Sequence, residues 1–171
     1  MLLLAISGSL RADSSNARLL RAAAAVAPEG VRFAFYAGLG ALPHFDPDLD
    51  GEGATPPPAV AELRRRLAEA DGVVISSPEY AHGVPGSLKN ALDWIVSSGE
   101  LTDKPVALVT AAPGGGAFAH PALLATLEVM GARVVPEASL QTSAARSGGD
   151  PELERALAAC VRALAAAISG A

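Results

Sequence analysis

The chain is poor in cysteine, in aromatic residues and in basic charge. One cysteine, Cys160, excludes an intrachain disulfide and a cysteine-held metal cluster. Aromatic residues make up 4% of the sequence, so alanine, leucine and valine have to fill the interior. Thirteen basic residues stand against 18 acidic ones, a formal charge of -5. That balance argues against nucleic acid as a partner, because phosphate-backbone binding rests on clustered cations. No apolar run approaches the roughly 20 residues that cross a bilayer. The opening run, Leu2 to Ile6, is too short for the core of a secretion signal and lacks a basic flank. A cytoplasmic protein with no membrane role is the expectation. The three histidines, His44, His82 and His120, do not show metal-ligand spacing, and no metal site is expected.

What remains is a globular composition. Half of the 171 residues are hydrophobic and 18% are charged, which suits a single domain over residues 1–171. No repeat or low-complexity linker interrupts it. Short apolar runs alternate with helical spacing. LLLAI (2–6), GVVIS (72–76) and PVALVT (105–110) are continuous, as in strands buried on both faces. VRFAFY (31–36) partly alternates and reads as a half-exposed edge strand, and a short fifth strand starts at Arg133. Helices are expected from Ser14 or Ser15 through Val26, after a Thr55 cap, after Pro85, around Pro121 up to Gly131, and from Asp150-Pro151 onward. The result is an α/β chain: five parallel strands with helices on both faces, a three-layer sandwich of flavodoxin-like order 2-1-3-4-5. Ligands of such sheets bind beyond the carboxyl ends of strands 1 and 3, where the order reverses. The long Gly-, Pro- and Asp-rich segment from Ala37 to Pro58 is read as a working loop or an interface arm.

The segment after the first strand is SGSLRADSSNARL, Ser7 to Leu19. Gly8 permits a sharp turn. Ser9, Ser14, Ser15 and Asn16 offer neutral donors, and Arg11 adds a fixed charge with several donors. A helix opening near Ser15 contributes free N–H groups and the positive end of its dipole. Together they suit a terminal phosphate without a metal. A plainer reading makes the serines helix caps, but it leaves Arg11 unexplained. Neither GxxxxGK(S/T) nor GxGxxG is present, which disfavours a P-loop nucleotidase or a dinucleotide fingerprint.

After the third strand comes SPEYAHGVPGSLKNALDWI (77–95), and after the fourth PGGG (113–116). Glycines let main chain approach a flat ring, and Pro78 and Pro85 stiffen the loop, which lowers the ordering cost of binding. GSLRADSSNARL (8–19) together with the 77–95 segment, and with LPHFDPDLD (42–50), PGGG and MGARVVPE (130–137), resembles the NADPH-dependent FMN reductase family. That resemblance implies non-covalent FMN. Its phosphate would lie on Ser9, Arg11, Ser14, Ser15 and Asn16. Its ring would lie on Pro78, Glu79, Tyr80, Ala81, His82 and Gly83 and against Gly114, Gly115 and Gly116. It implies an oxidoreductase passing hydride from NADPH or NADH through FMN to a small acceptor: a quinone, free flavin, azo compound or metal ion. It also implies a homodimer or homotetramer. Ala81 departs from the pattern, since the family usually has asparagine there. The alternatives are a flavodoxin-type carrier of single electrons and a flavin-binding scaffold without turnover.

Single residues carry bland readings beside the sharp ones. Glu79 is expected to order its loop through backbone N–H groups rather than to move protons. Tyr80 is placed in the ring pocket. His82 reads equally as a contact to nicotinamide or acceptor and as an exposed loop histidine. His44 and His120 are read as structural, Arg64-Arg65-Arg66 as a solvated helix face, Cys160 as an inert thiol on an apolar stripe, and Trp94 as packing or interface.

Overall fold

The computed structural model describes residues 1–51, 53–143 and 150–170. The strands are β1 (Leu2–Ser7), β2 (Arg32–Tyr36), β3 (Gly72–Ser77), β4 (Pro105–Ala111), β5 (Arg133–Val134) and β6 (Leu140–Thr142). The helices are α1 (Ser15–Ala25), α2 (Pro58–Glu69), α3 (Gly86–Asp93), α4 (Ala119–Val129) and α5 (Pro151–Ser169). Every strand pair is parallel, and the order is β2-β1-β3-β4-β5 with β6 also on β4.

Strand periodicity builds two cores. Leu4 and Ile6 of β1 point to one face and pack with Ile75 and Leu108 against Leu63, Leu67, Leu88, Leu92, Leu123 and Leu127 of α2, α3 and α4. Leu3 and Ala5 point to the other and pack with Val74 and Val109 against Leu19, Leu20, Leu157, Val161 and Leu164 of α1 and α5. β3 and β4 are buried at every residue, which explains their unbroken apolar runs. β2 is half exposed at one edge, as its alternation suggests.

Two local expectations need correction. The fifth strand is not one element. Pro136 opens a 3₁₀ turn, Pro136–Ala138, that splits it into β5 and β6. Ser139 patches the gap: its hydroxyl accepts from the Leu108 N–H (3.4 Å) and donates to the Val135 carbonyl (3.1 Å). Thr55 does not cap α2. That helix begins at Pro58 behind Pro57 with no side-chain cap; a proline at the first helical position has no N–H to satisfy. The remaining ends follow their sequence signals. Ser14 and Asp150 cap α1 and α5, and Gly131 follows α4 at φ +72°.

The segment from Ala37 to Pro58 is pinned rather than loose. The Trp94 indole N–H donates to the Pro43 carbonyl at 2.8 Å, Asn90 Nδ2 donates to the same carbonyl at 2.9 Å, and Asn90 Oδ1 accepts from the Phe45 N–H at 2.8 Å. Phe45 meets the fully buried Trp94 edge-on, with ring centroids 5.1 Å apart. Arg64 bridges Asp50 and the Trp94 carbonyl. It is therefore a structural bridge and not part of a solvated face, whereas Arg65 and Arg66 do lie outside, paired with Glu62 and Glu69.

Candidate functional site

Three loops leave the carboxyl ends of β1, β3 and β4, at the point where the strand order reverses. The first is tied to the sheet by the Gly8 N–H, which donates to the Ser76 carbonyl at 2.8 Å. A Cβ at Gly8 would stand 3.0 Å from the Leu88 side chain and 3.2 Å from Pro78, a tight fit in which those side chains would have to give by a few tenths of an ångström. The Ser9 hydroxyl accepts from the Arg11 N–H (3.3 Å) and lies 3.4 Å from the Tyr80 hydroxyl, joining the first loop to the second.

The sequence places five donors in this loop, and the structure sorts them. The Ser14 hydroxyl oxygen accepts from the Ala17 N–H at 3.0 Å, which caps the helix and leaves its own O–H to donate. Asn16 turns inward and is 2% exposed. Its Nδ2 donates to the Ala111 carbonyl (3.1 Å), and its Oδ1 accepts from the Ser76 hydroxyl (2.8 Å) and the Ala111 N–H (3.3 Å). Asn16 thus stitches α1 to the ends of β3 and β4, and its side chain is committed there. The main-chain N–H groups of Ser15 and Asn16 and the guanidinium of Arg11 have no partner among the described residues. Asp13, which sequence reasoning passed over, is clamped by Arg18 and Arg21 at 2.9 Å each and fixes the loop's outer side. Its spacing to Arg18 and Arg21, across a helix start, was the available signal.

The second and third loops are laced together. Glu79 Oε2 accepts from the N–H groups of Phe118 and Ala119, both at 2.8 Å, at the opening of α4. Those amides of Ala119 and Phe118 hold the Glu79 carboxyl below its ordinary range. Tyr80 and Gly83 exchange both backbone bonds, 3.1 and 2.9 Å, around Ala81 (φ +48°) and His82 (φ +58°). This is a tight turn of type I′, in which both central residues are left-handed. Asparagine would sit at position 81 more easily than Ala81 does, since Asn tolerates the left-handed region better than Ala.

Gly83 spends both of its main-chain groups on Tyr80, and Gly114 has open space where a side chain would sit. Gly115 and Gly116 have φ of +72° and +79°, and a Cβ at Gly116 would fall 2.2 Å from Thr110 Cγ2. Thr110 shares a 2.7 Å hydrogen bond with His120 Nδ1, and burial pushes the His120 imidazole below its usual pKa. His120 is structural in this setting. Tyr80 is 55% exposed beside Ser9. Pro78 packs on Gly8. Phe118, which sequence reasoning missed, stacks on His82 with centroids 4.2 Å apart and planes at 18°.

A cleft of about 490 Å³ runs along the first loop, lined by Ser7, Ser9, Arg11, Arg21, Phe35 and Tyr36 among others. Of the residues singled out from the sequence it touches Ser9 and Arg11; residues 78–83 and 114–116 lie outside its lining, so it adjoins the first loop alone and does not outline the ring site. A second cleft, about 560 Å³, lies between α4 and the β5–β6 edge. The donor set fits a phosphorylated flat molecule. Open amides at a helix start and an unpaired guanidinium suit a dianionic tail. The braced loops with glycine backbone beside them suit a ring. Among the described residues no His, Cys, Asp and Glu cluster suits a metal ion.

Comparison with known proteins follows the same line. The family model for NADPH-dependent FMN reductases matches residues 1–146. The quinone reductase of Escherichia coli (strain K12) is 33% identical over 149 residues, covering 85% of this chain and 79% of its own. An NAD(P)H-dependent FMN reductase of Pseudomonas aeruginosa is 32% identical over 153 residues, covering 87% and 81%. Among solved structures, FerB, a flavoenzyme NAD(P)H:(acceptor) oxidoreductase from Paracoccus denitrificans, superposes with a TM-score of 0.82 at 26% identity, covering 99% of this chain and 97% of that one.

Proposed function

The chain belongs to the NADPH-dependent FMN reductase family of oxidoreductases, which work with FMN and NAD(P)H, and on that premise we propose that it moves electrons from NADPH or NADH, through FMN held by these three loops, to a small acceptor. When bound, FMN supplies the hydride and electron-transfer chemistry. The chain's own residues bind, orient and shield. Arg11, Ser9 and the amides of Ser15 and Asn16 take the phosphate. Ser14 and the Asn16 side chain hold that loop in place from within. Pro78, Glu79, Tyr80, Ala81, His82 and Gly83 form one wall for the ring, and Gly114, Gly115 and Gly116 form the other.

The observation that carries this reading is the linkage of the three loops. Ser9 meets Tyr80, and Glu79 meets Phe118 and Ala119. A charged-tail site and a flat-ring site are thus held next to each other at the switch point. Glu79 accepts two amide bonds and is already engaged, so it serves as a brace and not as a proton carrier. Hydride transfer to a flavin asks for no protein acid.

The relatives named quinone reductase make a quinone the first acceptor to test, followed by free flavin, azo compounds and metal ions. The decisive experiment loads the protein with FMN and mixes it anaerobically with NADPH and, separately, NADH. Bleaching of the flavin absorbance supports the proposal. A flavin that stays oxidised with both nucleotides, or no FMN uptake in a calorimeter, defeats it. We further propose assembly as a homodimer or homotetramer; sedimentation as a monomer at working concentration would refute that.

A further inference from the structure

We propose that His82 and Phe118 form a stacking platform that selects flat, conjugated electron acceptors over compact ones. The proposal rests on the reading that this site passes electrons to a small molecule, and it names the residues that choose among such molecules.

Three observations carry it. First, the two rings come from different loops yet lie almost parallel, 4.2 Å apart at 18°. In water two exposed rings gain little by meeting, and this pair is not part of either core. Phe118 is 52% exposed and the neighbouring Tyr80 is 55% exposed. In a chain with so few aromatic residues, a group of open rings around one site is a concentration of stacking surface.

Second, both ends of the platform are held. Glu79 fixes the Phe118 main chain through its amide, and the Tyr80–Gly83 bond pair fixes the His82 turn. A ring held at a set angle loses little freedom when a ligand stacks on it. Third, His82 is presented at a cost. Its φ of +58° follows +48° at Ala81, a backbone region that glycine or asparagine occupies more readily. A glycine at position 82 would relieve the turn and remove the imidazole. The strain is retained together with the ring.

A planar quinone extends such a stack as a third ring. A compact octahedral ion such as ferricyanide has no face to offer. The platform therefore acts on acceptor affinity and not on the transfer step itself.

The test uses the FMN-loaded protein and the variants Phe118→Leu, which keeps apolar bulk but loses the flat ring, and Phe118→Tyr, which keeps the ring. Turnover is measured with menadione and with ferricyanide. Phe118→Leu lowers the menadione-to-ferricyanide ratio of kcat/KM by about 3- to 10-fold, through KM, and Phe118→Tyr restores it. Binding of anthraquinone-2-sulfonate to the protein without nucleotide is measured by calorimetry, and Phe118→Leu weakens it by a similar factor. His82→Ala lowers both readouts in the same direction. Equal loss with both acceptors, or unaltered probe binding in Phe118→Leu, overturns the platform. The binding arm is read on the protein as purified, whether or not FMN is present. A protein that takes up no FMN but still loses probe affinity in Phe118→Leu refutes the flavin reading and keeps the platform.

Discussion

The loop over β1 and the loops over β3 and β4 are built on opposite plans. The first keeps its strongest donors unspent: the Arg11 guanidinium and the Ser15 and Asn16 amides at the start of α1 meet nothing among the described residues. The other two spend theirs on each other, through Glu79, through the Tyr80–Gly83 pair and through the His82–Phe118 stack. The difference matches what each half has to recognise. A phosphate brings its own charge and pays for open donors with strong bonds. A flat ring brings little charge, so its wall has to be shaped before it arrives. Affinity therefore depends on single contacts in one region and on pre-set geometry in the other.

The largest expected effect comes from disturbing the pre-set region. In Gly116→Ala, the new methyl meets Thr110 Cγ2 at 2.2 Å while the backbone sits at φ +79°. Overpacking and left-handed strain together cost about 2–4 kcal/mol. Gly115→Ala carries the backbone strain alone, at φ +72° with open space around it, and costs about 1–2 kcal/mol. Gly114→Ala has neither problem and stays near wild type. Chemical denaturation of the three variants should rank them in that order; equal losses would mean that the third loop is not pre-set in this way.

The open region answers to a different measurement. Arg11→Ala removes a first-loop guanidinium that has no partner among the described residues, a charge-assisted contact of about 1.5–3 kcal/mol. FMN affinity falls about 10- to 100-fold, and riboflavin, which lacks the phosphate, binds the variant as it binds the wild type. Calorimetry with both ligands checks this. A parallel fall for riboflavin would place Arg11 against the ring and erase the contrast between the two regions.

The contrast was only half legible in the sequence. Apolar runs and their alternation placed β1, β2, β3 and β4 and the order of the sheet, because burial on two faces and on one leaves different periodicities. The broken fifth strand was harder to see. Its interruption depends on Pro136 and on a Ser139 hydroxyl that stands in for a ladder bond, and a side-chain substitute has no periodic signature. In the site, residue type located the loops, and the expected loop-ordering role of Glu79 matches its two amide bonds. Residue type did not say which donors were free. Asn16 looks like Ser9 and Ser15 in one dimension; only the fold turns it toward Ala111 and Ser76. Phe118 gave no signal because its partner, His82, is brought to it by two separate turns.

The Glu79 brace has a pH signature. Its folded carboxyl titrates below the ordinary range because the amides of Ala119 and Phe118 favour the charged form. A group depressed in this way adds its full stability above the ordinary carboxylate range, above about pH 5, and loses it as pH falls through the folded value. Glu79→Gln removes that part. The gap in stability between wild type and variant is then widest near neutrality and closes in acid. Glu62, lowered to about 2 by Arg65 and Arg66, titrates in both proteins and cancels in the difference. A gap that stays constant down to pH 3 would show that Glu79 braces by shape alone.

The smallest effect tests the turn itself. Ala81 is left-handed at φ +48°, where an L residue with a plain methyl is disfavoured and asparagine is more at ease. Ala81→Asn should therefore raise stability by about 0.5–1 kcal/mol, visible as a shift in denaturation midpoint without a change in slope. The same change puts an amide next to the proposed ring wall. If it also tightens FMN, the turn is tuned for the ligand as well as for the chain. If stability falls instead, the pair Ala81–His82 is not held left-handed in solution, and the pre-set half of the comparison loses its main support.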